Sequence, residues 1–139
     1  MGSILLVEAD TLTGEVWSAA IAAAGHAVVI ARRMREALSV VRDGGIDLVV
    51  IDAYDPRIGV IELARGMTAL PDTPPIILIS ESPAAPGVSV RIGAATFLPK
   101  PCEPDEVVAA IVWLLHGRAL AFVDDEPTVR IRPRLAWSS

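Results

Sequence analysis

The most constraining feature of this sequence is a short stretch, residues 46–51, that is apolar everywhere except at Asp47 and is followed directly by Asp52. A strand with one solvated face alternates apolar and polar residues, whereas a strand covered on both faces is apolar almost throughout. Strands of the second kind occur in parallel sheets whose faces are packed by helices. The stretch therefore predicts a central strand of a parallel α/β sheet.

Further short apolar runs predict strands that alternate with helical segments. These runs are residues 3–7, 27–31, 76–79 and 96–98. Apolar residues at spacings of three and four follow the runs and indicate helices. Five strand-then-helix units predict an open α/β sheet with right-handed crossovers and helices on both faces.

The first and last helices have predicted ends and inner faces. Asp10 or Thr11 is expected to cap the first helix, Gly25 to follow its end, and Pro104 to begin the last helix. The inner face of the first helix is predicted to hold Leu12, Val16, Ala19, Ala20 and Ala23. The inner face of the last helix is predicted to hold Val107, Val108, Ile111, Val112, Leu114 and Leu115.

Composition excludes several classes of function. The chain has 139 residues, of which 53% are hydrophobic, so it suits one folded domain and not a disordered chain. Its net charge of −5 argues against nucleic acid as a partner. Cys102 is the only cysteine, which excludes an internal disulfide and fits a cytoplasmic protein. No apolar run is long enough to span a membrane.

The two histidines, His26 and His116, are isolated in the sequence and are expected at the surface.

Polar side chains follow four of the five predicted strands. They are Glu8 and Asp10, then Asp52, Ser80 and Lys100. Parallel strands bring their carboxyl ends to the same edge of a sheet, so these groups are expected to lie together. Clustered carboxylates repel one another unless a cation joins them, which points to a hard divalent ion such as Mg²⁺. A carboxylate in such a site can attack a phosphoryl group.

Four segments carry a resemblance to a known family. They are residues 4–8, 47–52 with Pro56 four residues on, 75–80 and 93–101. In their order and near-family spacing, these segments resemble the receiver domain of two-component response regulators, over residues 3–117. The resemblance implies a flavodoxin-like (CheY-like) open five-stranded parallel sheet of order 2-1-3-4-5.

The resemblance also implies a role for individual residues. Asp52 would accept a phosphoryl group from a histidine kinase or a phosphotransfer protein. Lys100, joined to Pro101 by a cis peptide bond, and Ser80 would contact the phosphoryl group. Phe97 is either the aromatic switch that reports phosphorylation to a downstream protein partner or an ordinary core residue.

The metal-binding residues depart from the family pattern. Glu8 would be the first acid of the metal pair, but the second acid falls on Ala9, which has no oxygen to offer and weakens the expected Mg²⁺ site. Asp10 is either a compensating ligand or the helix cap. The backbone carbonyl of Tyr54 would be a further ligand, and Glu81 adds bulk and charge beside the phosphoryl pocket.

Two further departures concern the backbone. Gly59 comes one position earlier than the glycine that usually follows the phosphoacceptor loop. The fourth helix is expected to be short, because Pro83 and Pro86 lie in its segment.

Residues 118–139 form a predicted extension beyond the receiver-like region. Residues 119–123 are apolar, and residues 129–135 alternate apolar residues with Arg130, Arg132 and Arg134. The pattern predicts a β-hairpin. Its arginine face is either solvated or a contact surface for a partner or a second copy, with Trp137 as an anchor.

The sequence leaves three functional hypotheses. The first is a receiver that accepts phosphate on Asp52, turns over no external substrate and signals by protein contact in the cytoplasm. The alternative is a pseudo-receiver, a protein-interaction module that acts without phosphorylation, which Ala9 and Glu81 favour. The third is a small nucleotide-binding or phosphatase-like enzyme, against which stands the absence of a glycine-rich loop after the first strand.

Overall fold

The computed structural model of the chain describes residues 2–123. Five strands and five helices alternate within this range, which confirms the predicted strand-then-helix units. The strands are β1 (Ser3–Val7), β2 (Ala27–Ala31), β3 (Leu48–Asp52), β4 (Ile76–Ser80) and β5 (Thr96–Pro99). The helices are α1 (Thr11–Ala23), α2 (Met34–Asp43), α3 (Val60–Thr68), α4 (Ala85–Ile92) and α5 (Pro104–Val123).

The strands form one parallel sheet in the order β2-β1-β3-β4-β5. This is the predicted flavodoxin-like order 2-1-3-4-5. In the register of the sheet, Val7 of β1 pairs with Ile51 of β3, and Ser80 of β4 pairs with Pro99 of β5. The strands therefore end at nearly the same level, along what we call the carboxyl edge of the sheet.

Alternate residues of the strands pack on opposite faces of the sheet and form two cores. The first core joins one face of the sheet to α2, α3 and α4, and includes Val49, Ile51 and Leu78. The second core joins the other face to α1 and α5, and includes Leu48 and Val50. Every residue of β3 and β4 is buried, as expected for strands that helices cover on both faces.

Asp47 explains why β3 begins two residues later than the apolar run suggests. The backbone N–H of Asp47 donates to the carbonyl of Ser3 at 2.8 Å, and its carboxylate accepts from the N–H of Ser3, also at 2.8 Å. These bonds tie the turn before β3 to the start of β1. Residues 46 and 47 therefore belong to the turn and not to the strand.

The predicted inner face of α1 is wrong. Leu12 is 70% exposed and Val16 is 48% exposed, whereas Gly14, Trp17 and Ile21 are buried. Both sets have helical spacing, so periodicity alone does not separate them. The large side chains of Trp17 and Ile21 bury more apolar surface than the alanines of the predicted face, which favours the observed orientation.

Two other sequence predictions about burial are wrong. Val112 of α5 is 46% exposed, and Ala110 lies in the core beside Val107 and Ile111 instead. His26, predicted at the surface, is buried, and its Nδ1 accepts a hydrogen bond of 3.1 Å from the N–H of Gly2. His116 is exposed, as predicted.

Helix α5 extends past the predicted boundary at residue 117. The apolar run of residues 119–123 is helical, which fits the alanine and leucine residues in it. The predicted second hairpin strand, with Arg130, Arg132, Arg134 and the anchor Trp137, lies outside the described residues. No helix in the described range is long and apolar enough to span a bilayer.

Two glycines with opposite environments provide a test of the fold. Gly59 precedes α3 with φ of +85°, and a Cβ there would lie 2.9 Å from Cγ of Met34. Gly59→Ala should therefore lower the free energy of unfolding by about 1–2 kcal/mol, because L-residues are strained in the left-handed region. Urea denaturation measures the change.

Gly87→Ala is the matched control for this prediction. Gly87 lies within α4, and a Cβ there meets nothing within 4 Å. The same substitution should raise the free energy of unfolding by up to about 1 kcal/mol, because alanine is the better helix former. Equal effects at Gly59 and Gly87 would contradict the assigned conformation of Gly59.

Candidate functional site

Four strands bring the predicted site residues to the carboxyl edge. Asp52 and Ser80 are the last residues of β3 and β4, and Glu8 and Lys100 directly follow β1 and β5. Backbone hydrogen bonds continue the sheet past the strand ends: the N–H of Glu8 donates to Ala31 at 2.9 Å, and that of Lys100 to Ser80 at 3.2 Å. The predicted convergence of strand ends is therefore present.

Lys100 and Asp52 form the central ion pair of this edge. Lys100 Nζ lies 2.8 Å from Asp52 Oδ2, although the two residues are 48 positions apart in the chain. The Asp52 side chain is 4% exposed and that of Lys100 is 31% exposed. Partial burial opposes the charge of Lys100, but the hydrogen bond and negative charge of Asp52 outweigh it, so the pKa of Lys100 is raised.

The peptide bond between Lys100 and Pro101 is cis, as the family resemblance implied. Lys100 stands at the start of this turn, where its backbone is still bonded to β4.

Glu8 is a buried carboxyl group next to Asp52. Its Oε2 accepts a hydrogen bond of 3.1 Å from the N–H of Asp10, while its Oε1 is buried and has no hydrogen-bond partner. Burial, together with the neighbouring Asp52, raises the pKa of Glu8 to about 8. The raised pKa favours the uncharged form of Glu8, which reduces the negative charge that Asp52 faces.

Asp10 acts as the N-cap of α1. Its carboxylate accepts a hydrogen bond of 2.8 Å from the N–H of Thr13, and this bond lowers the pKa of Asp10. The cap predicted from the sequence is thus confirmed. Ala9 offers no side-chain oxygen. Within residues 2–123, no group of three or more His, Cys, Asp or Glu side chains could hold a metal ion.

The remaining predicted site residues differ in exposure. Ser80 is buried at 1% exposure, and its Oγ accepts a hydrogen bond of 3.1 Å from the N–H of Ser82. Phe97 is half-buried and packs against the first core. Tyr54, whose backbone carbonyl is the predicted ligand, is 88% exposed. Glu81 is exposed and close enough to Lys100 to raise its pKa.

Trp17 is a neighbour of the site that the sequence prediction missed. Lys100 Nζ lies 5.6 Å from the centroid of the Trp17 ring. Trp17 is 5% exposed and belongs to the second core. In the sequence, Gly14, Trp17 and Ile21 are spaced like residues on one face of a helix. This spacing was a signal for Trp17, but only the orientation of α1 shows that this face is the buried one.

The raised pKa of Glu8 predicts a change in stability with pH. The folded chain holds the Glu8 proton up to about pH 8, whereas the unfolded chain releases it near 4.5. The contribution of Glu8 to the free energy of unfolding should be fully present below pH 4.5 and lost as the pH rises through about 8. Glu8→Gln should remove this decline, as measured by urea denaturation with a metal chelator present.

Glu15→Gln is the control for this measurement, because Glu15 lies on the exposed side of α1. In this variant, the free energy of unfolding should fall with rising pH as it does in the parent chain. A decline of the same size in Glu8→Gln would contradict the assignment of the proton to Glu8.

Comparison with known sequences agrees with this geometry. Residues 4–112 match the family model of the response regulator receiver domain. The chain is 32% identical over 118 residues to the response regulator MprA of Mycolicibacterium vanbaalenii, covering 81% of this chain and 50% of that protein. It is 31% identical over 131 residues to MprA of Mycobacterium sp. strain KMS, covering 91% and 56%. The chain thus spans about half the length of these curated relatives.

Solved structures show the same fold. The signal receiver domain of a signal transduction histidine kinase from Syntrophus aciditrophicus has a TM-score of 0.73 at 27% identity, covering 84% of this chain and 92% of that one. A CheY-like receiver domain protein from Methanospirillum hungatei has a TM-score of 0.73 at 23% identity, covering 84% and 94%. The chain belongs to the response regulator receiver domain family, the signalling domains of two-component systems.

Proposed function

We propose that Asp52 accepts a phosphoryl group from a phosphohistidine on a histidine kinase or phosphotransfer protein. The observation that carries the proposal is the 2.8 Å pair between Lys100 Nζ and Asp52 Oδ2 at the carboxyl edge. A nearly buried carboxylate held by one ammonium group is a nucleophile with a fixed cationic neighbour. The signal then passes to a downstream partner by protein contact, and the domain turns over no external substrate.

The transfer requires one bond to form and one to break. An oxygen of Asp52 attacks phosphorus, the P–N bond to the donor imidazole breaks, and the imidazole nitrogen keeps the electron pair. Lys100 offsets negative charge on the phosphoryl oxygens, since its ammonium is already next to Asp52. The Ser80 hydroxyl, at the end of the neighbouring strand, donates a hydrogen bond to another phosphoryl oxygen.

The residues present fit a weakly held Mg²⁺ ion. The observation is the buried Glu8 Oε1, which has no hydrogen-bond partner and belongs to a carboxyl group beside Asp52. Mg²⁺ commonly uses one or two carboxylates and keeps several waters, so the missing acid at Ala9 weakens the site without abolishing it. Glu8, Asp52 and the Tyr54 carbonyl would hold the ion, which would supply positive charge opposite the phosphoryl oxygens.

Asp10 is a less suitable ligand than its position in the sequence suggested. Its carboxylate already caps α1 through the N–H of Thr13. Turning it toward Asp52 would break that bond, and replacing an N-cap costs about 1 kcal/mol. Asp10 would therefore remain the N-cap of α1, while Glu8 and Asp52 would bind the metal.

Phe97 is proposed as the aromatic residue that reports phosphorylation. It lies on β5, three residues before Lys100, and is half-buried against the first core. A half-buried ring can change its rotamer with a smaller loss of packing than a fully buried one. A movement of Lys100 toward a phosphoryl group would therefore shift β5 and change the rotamer of Phe97.

The main prediction is phosphorylation of Asp52 itself. Incubation with Mg²⁺ and acetyl phosphate should add the mass of one phosphoryl group to the intact chain, as measured by mass spectrometry. Asp52→Asn should show no addition, because the nucleophilic carboxylate is gone. Asp55→Asn, in the same loop, should behave like the parent chain, since Asp55 is paired with Arg57 at 2.9 Å.

The absence of added phosphate on the parent chain would contradict the proposal. A folded chain that binds Mg²⁺ but stays unphosphorylated would instead favour the pseudo-receiver, a module that acts by protein contact alone.

A second prediction concerns the missing acid. Ala9→Asp should increase Mg²⁺ affinity about tenfold, because it adds a charged oxygen ligand beside Glu8 and Asp52. The change in tryptophan fluorescence on Mg²⁺ titration measures the affinity, since Trp17 lies beside Lys100. Ala9→Asn, which adds an oxygen without a full charge, should give a smaller increase, and no increase in either variant would contradict the placement of the metal.

A further inference from the structure

Lys100 lies between a buried carboxylate and a buried aromatic ring. Its ammonium nitrogen is 2.8 Å from Asp52 Oδ2 and 5.6 Å from the centroid of the Trp17 indole. A cation within about 6 Å of an aromatic centroid is attracted by the negative face of the ring, most strongly by tryptophan. The Trp17 contact is therefore close enough to hold the ammonium group.

Trp17 is itself held firmly in place. It is 5% exposed and packs in the second core with Ile21 of α1 and Ile111 of α5. A side chain buried among such residues has one well-defined position. Lys100, in contrast, has a flexible four-carbon stem, and its side chain is 31% exposed. The fixed ring thus limits how far the mobile amine moves away from Asp52.

We propose that Trp17 is a positioning residue that keeps the Lys100 ammonium at Asp52. The indole face acts through Lys100 and does not itself touch the transferred group. The effect of Trp17 on phosphorylation rests on the proposed function, whereas its effect on the position of Lys100 does not. The arrangement also connects the packing of α1 against α5 to the site, because both helices contribute to the core around Trp17.

Lys100 offers an unusually direct measurement, because it is the only lysine in the sequence. In a chain grown with ¹³C,¹⁵N-lysine, all lysine side-chain signals in the NMR spectrum come from Lys100, and their pH titration with a metal chelator present gives the pKa of Lys100. The titratable groups that interact with this ammonium are Asp52, Glu8, Glu81, Asp10 and Cys102. All five remain in every Trp17 variant, so a change in the pKa of Lys100 reports the loss or change of the ring.

Removing the ring should lower the pKa of Lys100, because the indole favours the charged amine. Trp17→Leu should show this decrease, and Trp17→Phe, which keeps an aromatic face, should restore most of the parent value. Trp113→Leu is the matched control: Trp113 packs against the same core from α5, so the variant loses a similar volume. It should leave the Lys100 titration unchanged.

A second measurement keeps the shape of the side chain. Incorporation of 5-fluorotryptophan in a Trp113→Phe background withdraws charge from the indole face with little change in its size. The pKa of Lys100 should fall in this protein too. The fluorinated protein therefore tests the positioning role of Trp17 even where Trp17→Leu does not fold.

The acetyl phosphate assay then tests the consequence for the reaction. Trp17→Leu should lower the initial rate of phosphorylation by about threefold to tenfold, within the range of a cation–π contact. An unchanged Lys100 titration in both Trp17→Leu and the fluorinated protein would overturn the positioning role, even where phosphorylation proceeds. A shifted titration in a chain that never accepts phosphate would support the positioning role and contradict the proposed function.

Discussion

The pair between Lys100 and Asp52 is the interaction on which the site depends. The two residues are brought together because β5 and β3 flank β4, and all three strands end at one edge. A single-residue shift in the register of β5 would turn Lys100 to the other face of the sheet. The two buried cores oppose that shift, because it would move Leu98 out of the second core and Phe97 away from the first. The chemistry at the edge is thus maintained by apolar packing in the interior.

Much of the fold could be predicted because its signals are local. The apolar run before Asp52, the proline at the start of α5 and the glycine after α1 each follow from short-range physics. The order of the strands required the family resemblance, since an alternating β/α pattern is compatible with several sheet orders. The face of α1 could not be predicted, because Val16 and Trp17 are neighbours in sequence and both fit a helical repeat.

The residues of the candidate site could be predicted from the sequence, whereas the interactions between them could not. Residues that end strands identified Glu8, Asp52, Ser80 and Lys100, because topology alone brings them to one edge. The state of Glu8 depends on burial and on its distance from Asp52, which the sequence does not contain. The contact between Trp17 and Lys100 joins α1 to the turn after β5, and it depends on the orientation of a helix that periodicity left open.

The charge at the carboxyl edge bears on the alanine at position 9, where the family resemblance implies a second acid. Two adjacent carboxylates repel each other, and a second cation or a proton must reduce that repulsion. Here the Lys100 ammonium pairs with Asp52, and the raised pKa of Glu8 favours a proton on its carboxyl group, which would reduce the second charge. In the proposed site, a metal ion bound by Glu8 would have to displace this proton, so its apparent affinity would rise with pH. In the proposed site, alanine at position 9 would thus change the competition between proton and metal, while the ion pair between Lys100 and Asp52 would stay intact.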